Sequence, residues 1–436
     1  MNSIKSELFL LKDEKGPILY APLKKLSARL NDSAVNSVSR RINGESLLPE
    51  DKPVIELLEE HGFFKDDIIP ECAVAPPAEV TLFPSDGCNL RCRYCYASAE
   101  KIRHKMPPEV GKAAVDYIVK NAVSAGKDSI SVGFHGNGEP FTAFGFMKEI
   151  CKYAKEKAEE NNLKVRLYSA SNGCWSDEIA DWVMAWLDNV NISFDGTEEM
   201  QNAQRPFSDG RPSFPSIDKT LRRLNDAEKS FGIRTTLTSE SVLKLPEIAE
   251  FIAGRYPNCK QLHVEPVWES GRSIESKVRT PDADVFIEKF LQAKQILKKH
   301  NIGLIFSAVK TDNTSIYFCG VSRDSFSVTA QGLVTSCFEV CEECDERAFP
   351  FIYGKYDPSV GGFVFDDKKR EALHRLNVTN IPYCKDCFCK YHCAGDCPAK
   401  LVGSKPPEEH RGSVRCKITR ALTLEQIAQE LDDNDD

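Results

Sequence analysis

The chain is 436 residues long, room for two or three domains with substantial cores, which excludes a mini-protein held together by staples alone. Its 57 Lys and Arg against 65 Asp and Glu give a formal net charge of -8, which excludes chain-wide attraction to nucleic acid or to an anionic membrane. Cysteines number 17, many for an intracellular protein, and an odd count excludes a fully paired disulfide framework.

The opening MNSIKSELFLLKDEKG carries only LFLL before charges resume, and no later stretch reaches the ~20 apolar residues of a membrane span. A soluble, cytoplasmic protein with no membrane partner and no nucleic-acid partner is expected. Residues 1–75 read as a module of their own. SELFLLKD, GPILYAPL and KLSARLN alternate as three short strands with a turn at Lys15, Gly16 and Pro17, and DSAVNSVSRRI and PEDKPVIELLEEHGFF then carry helical periodicity. Three strands plus helices of this size resemble a small winged-helix fold. Between Lys24 and Arg41 stand Lys24, Lys25, Arg29, Arg40 and Arg41 against Asp32 alone, a local excess suited to an acidic segment and equally compatible with an ordinary solvated face. The Pro-rich CAVAPPAEV reads as a linker.

Residues 76–305 alternate between two periods. EVTLFPS, SISVGFHGNGEP, KVRLYSASNG, NVNISFDG, RTTLTSES and QLHVEPV are short β-rich runs, and the gaps hold helices such as PEVGKAAVDYIVKNAVSAG. Parallel strands need crossover helices, so six such units predict an α/β fold, a partial (β/α)6 barrel with its chemistry at the carboxyl ends of the strands. DADVFIEKFLQAKQILKKH is an amphipathic helix and GLIFSAV a further strand. From residue 306 to 436 the pattern breaks into short strands, turns and cysteines, and the acidic tail EQIAQELDDNDD is expected to fray.

CNLRCRYC follows the first strand of this series and sets Cys88, Cys92 and Cys95 on one tight loop. Three thiols leave a four-ligand structural metal site unfinished: either a remote residue completes a zinc knuckle, or one metal position stays open for chemistry. CxxxCxxC after the first strand of a β/α barrel resembles the signature of the radical S-adenosylmethionine (SAM) enzymes, over roughly residues 79–305. The resemblance implies a 4Fe-4S cluster on the three cysteines whose open iron chelates SAM, giving a 5'-deoxyadenosyl radical. HGNGEP resembles the family's glycine-glycine-glutamate motif with Asn137 in place of the first glycine, so Gly138 and Glu139 are the implied partners of the SAM ammonium. The same resemblance places Ser171 and Asn172, and Ser193 and Asp195, at the ends of the third and fourth strands near the ribose, Arg205 at the SAM carboxylate and Tyr94 beside the adenine.

The second cysteine zone runs from Cys319 and Cys337 through Cys384-x2-Cys387-x5-Cys393-x3-Cys397 to Cys416. A zinc ribbon places roughly 15–20 residues between its thiol pairs, and the interval after Cys387 is far shorter. The pattern resembles the SPASM domain of radical SAM maturases, which implies two auxiliary 4Fe-4S clusters, three clusters in all. Cys319, Cys337 and Cys397 would hold the first, with Cys341 or Cys344 able to complete it, and Cys384, Cys387, Cys393 and Cys416 the second. Cys389 reads as a bystander, and Cys72, Cys151, Cys174 and Cys259 as isolated small hydrophobes or inert thiols.

The N-terminal module resembles the peptide-recognition element of such maturases, in which a leader adds as a strand to a sheet edge. The resemblance implies an enzyme that forms a thioether or carbon–carbon crosslink on a ribosomally made precursor peptide with a leader sequence, fed electrons by an external donor such as flavodoxin or ferredoxin. Two alternatives stand beside it: sulfatase-maturase-like oxidation of Cys or Ser to formylglycine, and a non-catalytic iron–sulfur electron carrier. Sulfatase maturases carry an Asp after the second SPASM cysteine, where this chain has Phe338 followed by Glu339. His135, Glu265 and Glu269 are candidate substrate-facing residues.

Overall fold

The computed structural model describes residues 3–70, 74–100, 102–401 and 407–435; Cys72 lies outside them. The chain gathers into two compact units, one of Met1–Ala73, Ala308–Phe318 and Leu376–Asp436, the other of Val74–Ser307 and Cys319–Arg375.

Among the described residues the first unit contains five strands, β1 (Ser3–Ile4), β2 (Phe9–Asp13), β3 (Gly16–Ala21), β4 (Leu26–Arg29) and β5 (Asp67–Ile68). β2, β3 and β4 form an antiparallel sheet in that order, and β1 pairs with β5. Alternation along β3 sends side chains to two different cores. Leu19 and Ala21 pack with Val38, Ile55, Leu58 and Phe63 from helices Asp32–Asn43 and Lys52–Glu60 and the turn that follows. Ile18 and Tyr20 pack against Ile427 and Ala428 of helix Val414–Asp435. The acidic tail therefore does not fray: Ile427 is buried, and Asp432 pairs with Lys15 at 2.7 Å and Arg29 at 3.0 Å. A helix whose apolar residues have a sheet to cover gains stability that composition alone does not show.

The second unit is built on one sheet of eleven strands. β6 (Glu79–Leu82), β7 (Ser129–Phe134), β8 (Lys164–Ser171), β9 (Asn189–Ser193), β10 (Phe231–Leu237), β11 (Gln261–Pro266) and β12 (Gly303–Ile305) run parallel, each paired to the next. The series does not close on itself: β6 pairs on its far side with β13 (Ser327–Val328), and β14 (Leu333–Thr335), β15 (Ile352–Asp357) and β16 (Gly362–Phe365) continue antiparallel. The fold is thus an open, partial β/α barrel. Crossover helices such as Pro108–Ser124 and Phe144–Glu160 cover one face, where Val80, Val132, Leu167, Val190, Ile192, Ile233 and Val264 are buried. Register places Thr81, Gly133, Tyr168, Asn191, Arg234 and His263 together on the opposite face, which is mostly polar. Among the described residues no helix is long and apolar enough to cross a membrane.

Candidate active site

The loop after β6 carries Cys88, Cys92 and Cys95, all partly exposed and none in a disulfide. Its backbone is tied down on several sides: Cys88 N–H donates to Glu100 O at 2.9 Å, Arg93 N–H to Gln204 O at 2.9 Å, and Arg272 N–H to Cys95 O at 3.0 Å. Arg272 also donates through Nη1 to Cys92 O at 3.1 Å and through Nη2 to Ala99 O at 2.9 Å. Gly271, at φ +54°, passes so close that a Cβ there would lie 2.4 Å from Tyr96 O. Gly138 is needed for the same reason, since its Cβ would lie 2.5 Å from Ser85 O and 2.6 Å from Gly87 O.

Glu139 is buried and joins the ends of three strands. Its Oε1 accepts from Ser171 Oγ at 2.7 Å and its Oε2 from Asn172 N at 2.8 Å, while its own N–H donates to Gly87 O at 2.7 Å. Burial pushes its carboxyl up to about 7, opposed by those hydrogen bonds. Asn172 donates to Asn89 Oδ1 at 2.7 Å and lies 3.9 Å from Cys88 Sγ. Asp195 is wholly buried; it accepts from Tyr94 Oη and, at 2.9 Å, from Arg205 Nε. Its carboxylate thus orients Arg205 and Tyr94. Arg205 Nη1 lies 3.9 Å from Cys92 Sγ, and its guanidinium sits 5.1 Å from the Tyr94 ring centre. Burial raises the Cys92 thiol to about 11, with Arg205 pulling the other way.

Nine of the sequence-derived residues, Cys88, Cys92, Tyr94, Gly138, Glu139, Ser171, Asn172, Asp195 and Arg205, thus interlock around the cysteine loop. Cys95 lies on the same loop. Ser193 ends β9 on the open polar face, in register with Arg234. Asn89, Trp175 (Nε1 to Ser171 Oγ, 2.8 Å), Gly271 and Arg272 also belong here, and no local sequence signal marks them. Cys174 N–H donates to Asn172 Oδ1 at 2.9 Å and the residue is half-buried, whereas Cys151 and Cys259 are buried in the interior. His135 accepts from Gly136 N–H and stacks on Phe338 with ring centres 4.6 Å apart. Glu265 is buried, bonded to His263 and to Ser307 N–H, and Glu269 pairs with Arg279 at 2.8 Å.

The other cysteines divide between the units. In the second unit, Cys319 precedes a short turn at Gly320–Arg323 and Cys337 follows β14. Cys337 and Cys341 are buried and near enough to Tyr96 to act on its hydroxyl electrostatically; Cys344 is exposed and donates to Glu342 at 3.5 Å. In the first unit, Cys384, Cys387, Cys393 and Cys416 stand close enough to perturb one another electrostatically. Arg420 Nε lies 3.5 Å from Cys387 Sγ, and buried Cys389 lies against the same sulfur. Cys397 belongs to this unit as well.

Among the described residues no three Cys, His, Asp or Glu side chains converge on a single point as a mononuclear metal site requires. A multi-iron cluster spreads its thiolates over separate irons, so grouped thiols on one loop fit it without such convergence. Residues 82–252 match the Radical SAM superfamily. Among curated proteins the chain is similar to a cysteine-type anaerobic sulfatase-maturating enzyme of Clostridium perfringens, 22% identical over 74% of this chain and 89% of that one. Two solved structures share the fold: anSMEcpe with bound AdoMet and the Cp18Cys peptide, at TM-score 0.64 and 19% identity over 82% of this chain and 99% of that one, and Streptococcus suis SuiB bound to precursor peptide SuiA, at TM-score 0.54 and 15% identity over 94% and 99%.

Proposed function

We propose, for a chain whose residues 82–252 make it a Radical SAM superfamily enzyme, that its substrate is a ribosomally made precursor peptide and its product a thioether or carbon–carbon crosslink. The observation that carries this reading is the grouping of Cys88, Cys92 and Cys95 beside Arg205 and Asn172, at the carboxyl ends of strands whose open face is polar. Bound at that loop, a 4Fe-4S cluster and SAM supply a hydrogen-abstracting radical. This chain's residues do the rest. Cys88, Cys92 and Cys95 would hold the cluster through their sulfurs, Arg205 would meet the SAM carboxylate as a planar fork, and Glu139 and Gly138 would offer a carboxylate and a close backbone edge to its ammonium. Tyr94 would lie beside the adenine, and Ser171, Asn172 and Ser193 would line the ribose side; Asp195 holds Arg205 and Tyr94 in place.

The grouping of Cys384, Cys387, Cys393 and Cys416 supports one auxiliary cluster. Cys319 and Cys337 of the second unit are assigned to another. Burial and a shared neighbour, Tyr96, favour Cys341 over Cys344 as its additional ligand. The β2–β4 sheet with its two helices is assigned to leader recognition, and a flavodoxin or ferredoxin to electron supply in the cytoplasm.

The similarity to a sulfatase-maturating enzyme favours a second reading, oxidation of a Cys or Ser side chain to formylglycine. Phe338 weighs against it: an aromatic ring stacked on His135 occupies the position where a carboxylate base would stand. Anaerobic reconstitution with iron, sulfide, reductant and SAM should release 5'-deoxyadenosine, and mass spectrometry of a co-expressed precursor peptide should show a loss of two hydrogens. Full cluster content without 5'-deoxyadenosine would sink the radical reading, and formylglycine in a sulfatase peptide would replace the crosslinking one.

A further inference from the structure

The polar face of the parallel sheet carries a hydrogen-bonded row that the cofactor site does not use. Arg234 on β10 is in register with His263 on β11, and Thr236 with Glu265, so the three side chains share one face. Arg234 Nη1 lies 3.3 Å from His263 Nδ1, His263 Nε2 lies 2.9 Å from Glu265 Oε1, and Ser307 N–H donates to the same oxygen at 3.0 Å. Chemistry fixes the direction of this row. A guanidinium has donors only, so Nδ1 accepts, the imidazole proton sits on Nε2, and that proton is donated to the Glu265 carboxylate.

Glu265 is buried, and its Oε1 is already engaged by both the imidazole and the Ser307 amide. Arg234 is exposed, and among the described residues it forms no ion pair with a carboxylate. One of its five N–H groups serves His263, and the residue is otherwise exposed on the polar face of the sheet. Gly232, on the same face of β10, adds no side chain to it, and Asn191 and Ser193 on β9 add small polar groups. His135, at the end of β7, feels the Arg234 charge and is pushed down to about 4, chiefly by burial. It is neutral near pH 7 and adds no charge of its own to this face.

We propose that Arg234, aimed through His263 by Glu265, binds a carboxylate of the substrate, an acidic side chain of the peptide, on the polar face of the sheet. The inference rests on the reading of a peptide substrate and adds its chemistry: a single negative charge near the modified position. A fixed arginine fork recognises a planar carboxylate through paired N–H donors, which neither a solvated lysine nor a flexible arginine does as selectively.

The test is arginine-selective labelling of the full anaerobic chain with phenylglyoxal, read at Arg234 by peptide mass spectrometry, with N-acetyl-glutamate amide or N-acetyl-glutamine amide as the probe. Protection of Arg234 is expected at roughly tenfold lower concentration of the Glu probe than of the Gln probe, the ratio appropriate to a charge-assisted pair. Exposed Arg279 and Arg103 serve as controls and should label equally with both. In Glu265→Gln the difference should shrink, because the row that aims Arg234 is weakened. Equal protection by the two probes, or none by either, overturns the proposal; the wild-type arm alone decides this, so a variant that fails to fold does not weaken the test. The readout needs neither SAM nor clusters, so its failure is distinct from a failure to release 5'-deoxyadenosine.

Discussion

Arg205 and Asp195 form an ion pair in which Nε lies 2.9 Å from Oδ2, with the side chains only 8% and 0% exposed. A pair so dry is held together by geometry, because each charge left alone would face a large desolvation penalty. Asp195→Asn is expected to cost about 3–5 kcal/mol of stability in urea unfolding. It should also weaken SAM binding to the reconstituted protein, since Arg205 loses the partner that aims it. A variant as stable as the wild type would show that Asp195 is not the anchor.

Gly271, in the segment that follows β11, supports the cysteine loop, with no space for a methyl group against Tyr96 O and Cys95 O. Gly271→Ala should push the loop aside and lower iron content after reconstitution by the share of one cluster, while the cysteines of the first unit keep theirs. Unchanged iron with an unchanged spectrum would place the loop's support elsewhere.

Glu139 supplies a pH dependence whose sign can be worked out. Its ordinary value of 4.5 rises to about 7 in the fold through burial. Across that window the folded chain keeps a proton that the unfolded chain has lost, so the Glu139 contribution to stability falls as pH rises. Unfolding free energies of the cluster-free protein at about pH 5 and about pH 7.5 should differ less in Glu139→Gln than in the wild type. Parallel profiles would contradict the burial effect.

Ile427 is 2% exposed, packed with Ile18 and Tyr20. Ile427→Ala should destabilise the first unit by about 2–4 kcal/mol through lost burial and the cavity left behind. Limited proteolysis would then cut first within residues 1–73 or the C-terminal helix. Wild-type resistance in both segments would mean that the helix adds little.

The parallel series was legible because buried strands under crossover helices alternate strictly: Val190 and Ile192 go inward while Asn189, Asn191 and Ser193 stay on the polar face. Cys88, Cys92 and Cys95 were legible for a different reason, since three thiols at short spacing on one loop have few chemical uses. Asn89, Trp175, Gly271 and Arg272 were not, because each reaches the loop through contacts that the residue's own neighbourhood does not announce. The acidic tail misled: its charge suggested fraying, yet Asp432 finds Lys15 and Arg29, and Ile427 finds a sheet more than four hundred residues earlier.

By itself the sequence determined the alternation of strands and helices and the placing of three thiols on one short loop after a strand, since both depend on spacing along a short stretch of chain. Only the tertiary structure decided that the sheet stays open beyond β6, that Asp195 turns inward to hold Arg205, and that Arg234, His263 and Glu265 form one row. Those outcomes depend on strand register and on burial against distant segments, quantities that exist only once the chain has folded.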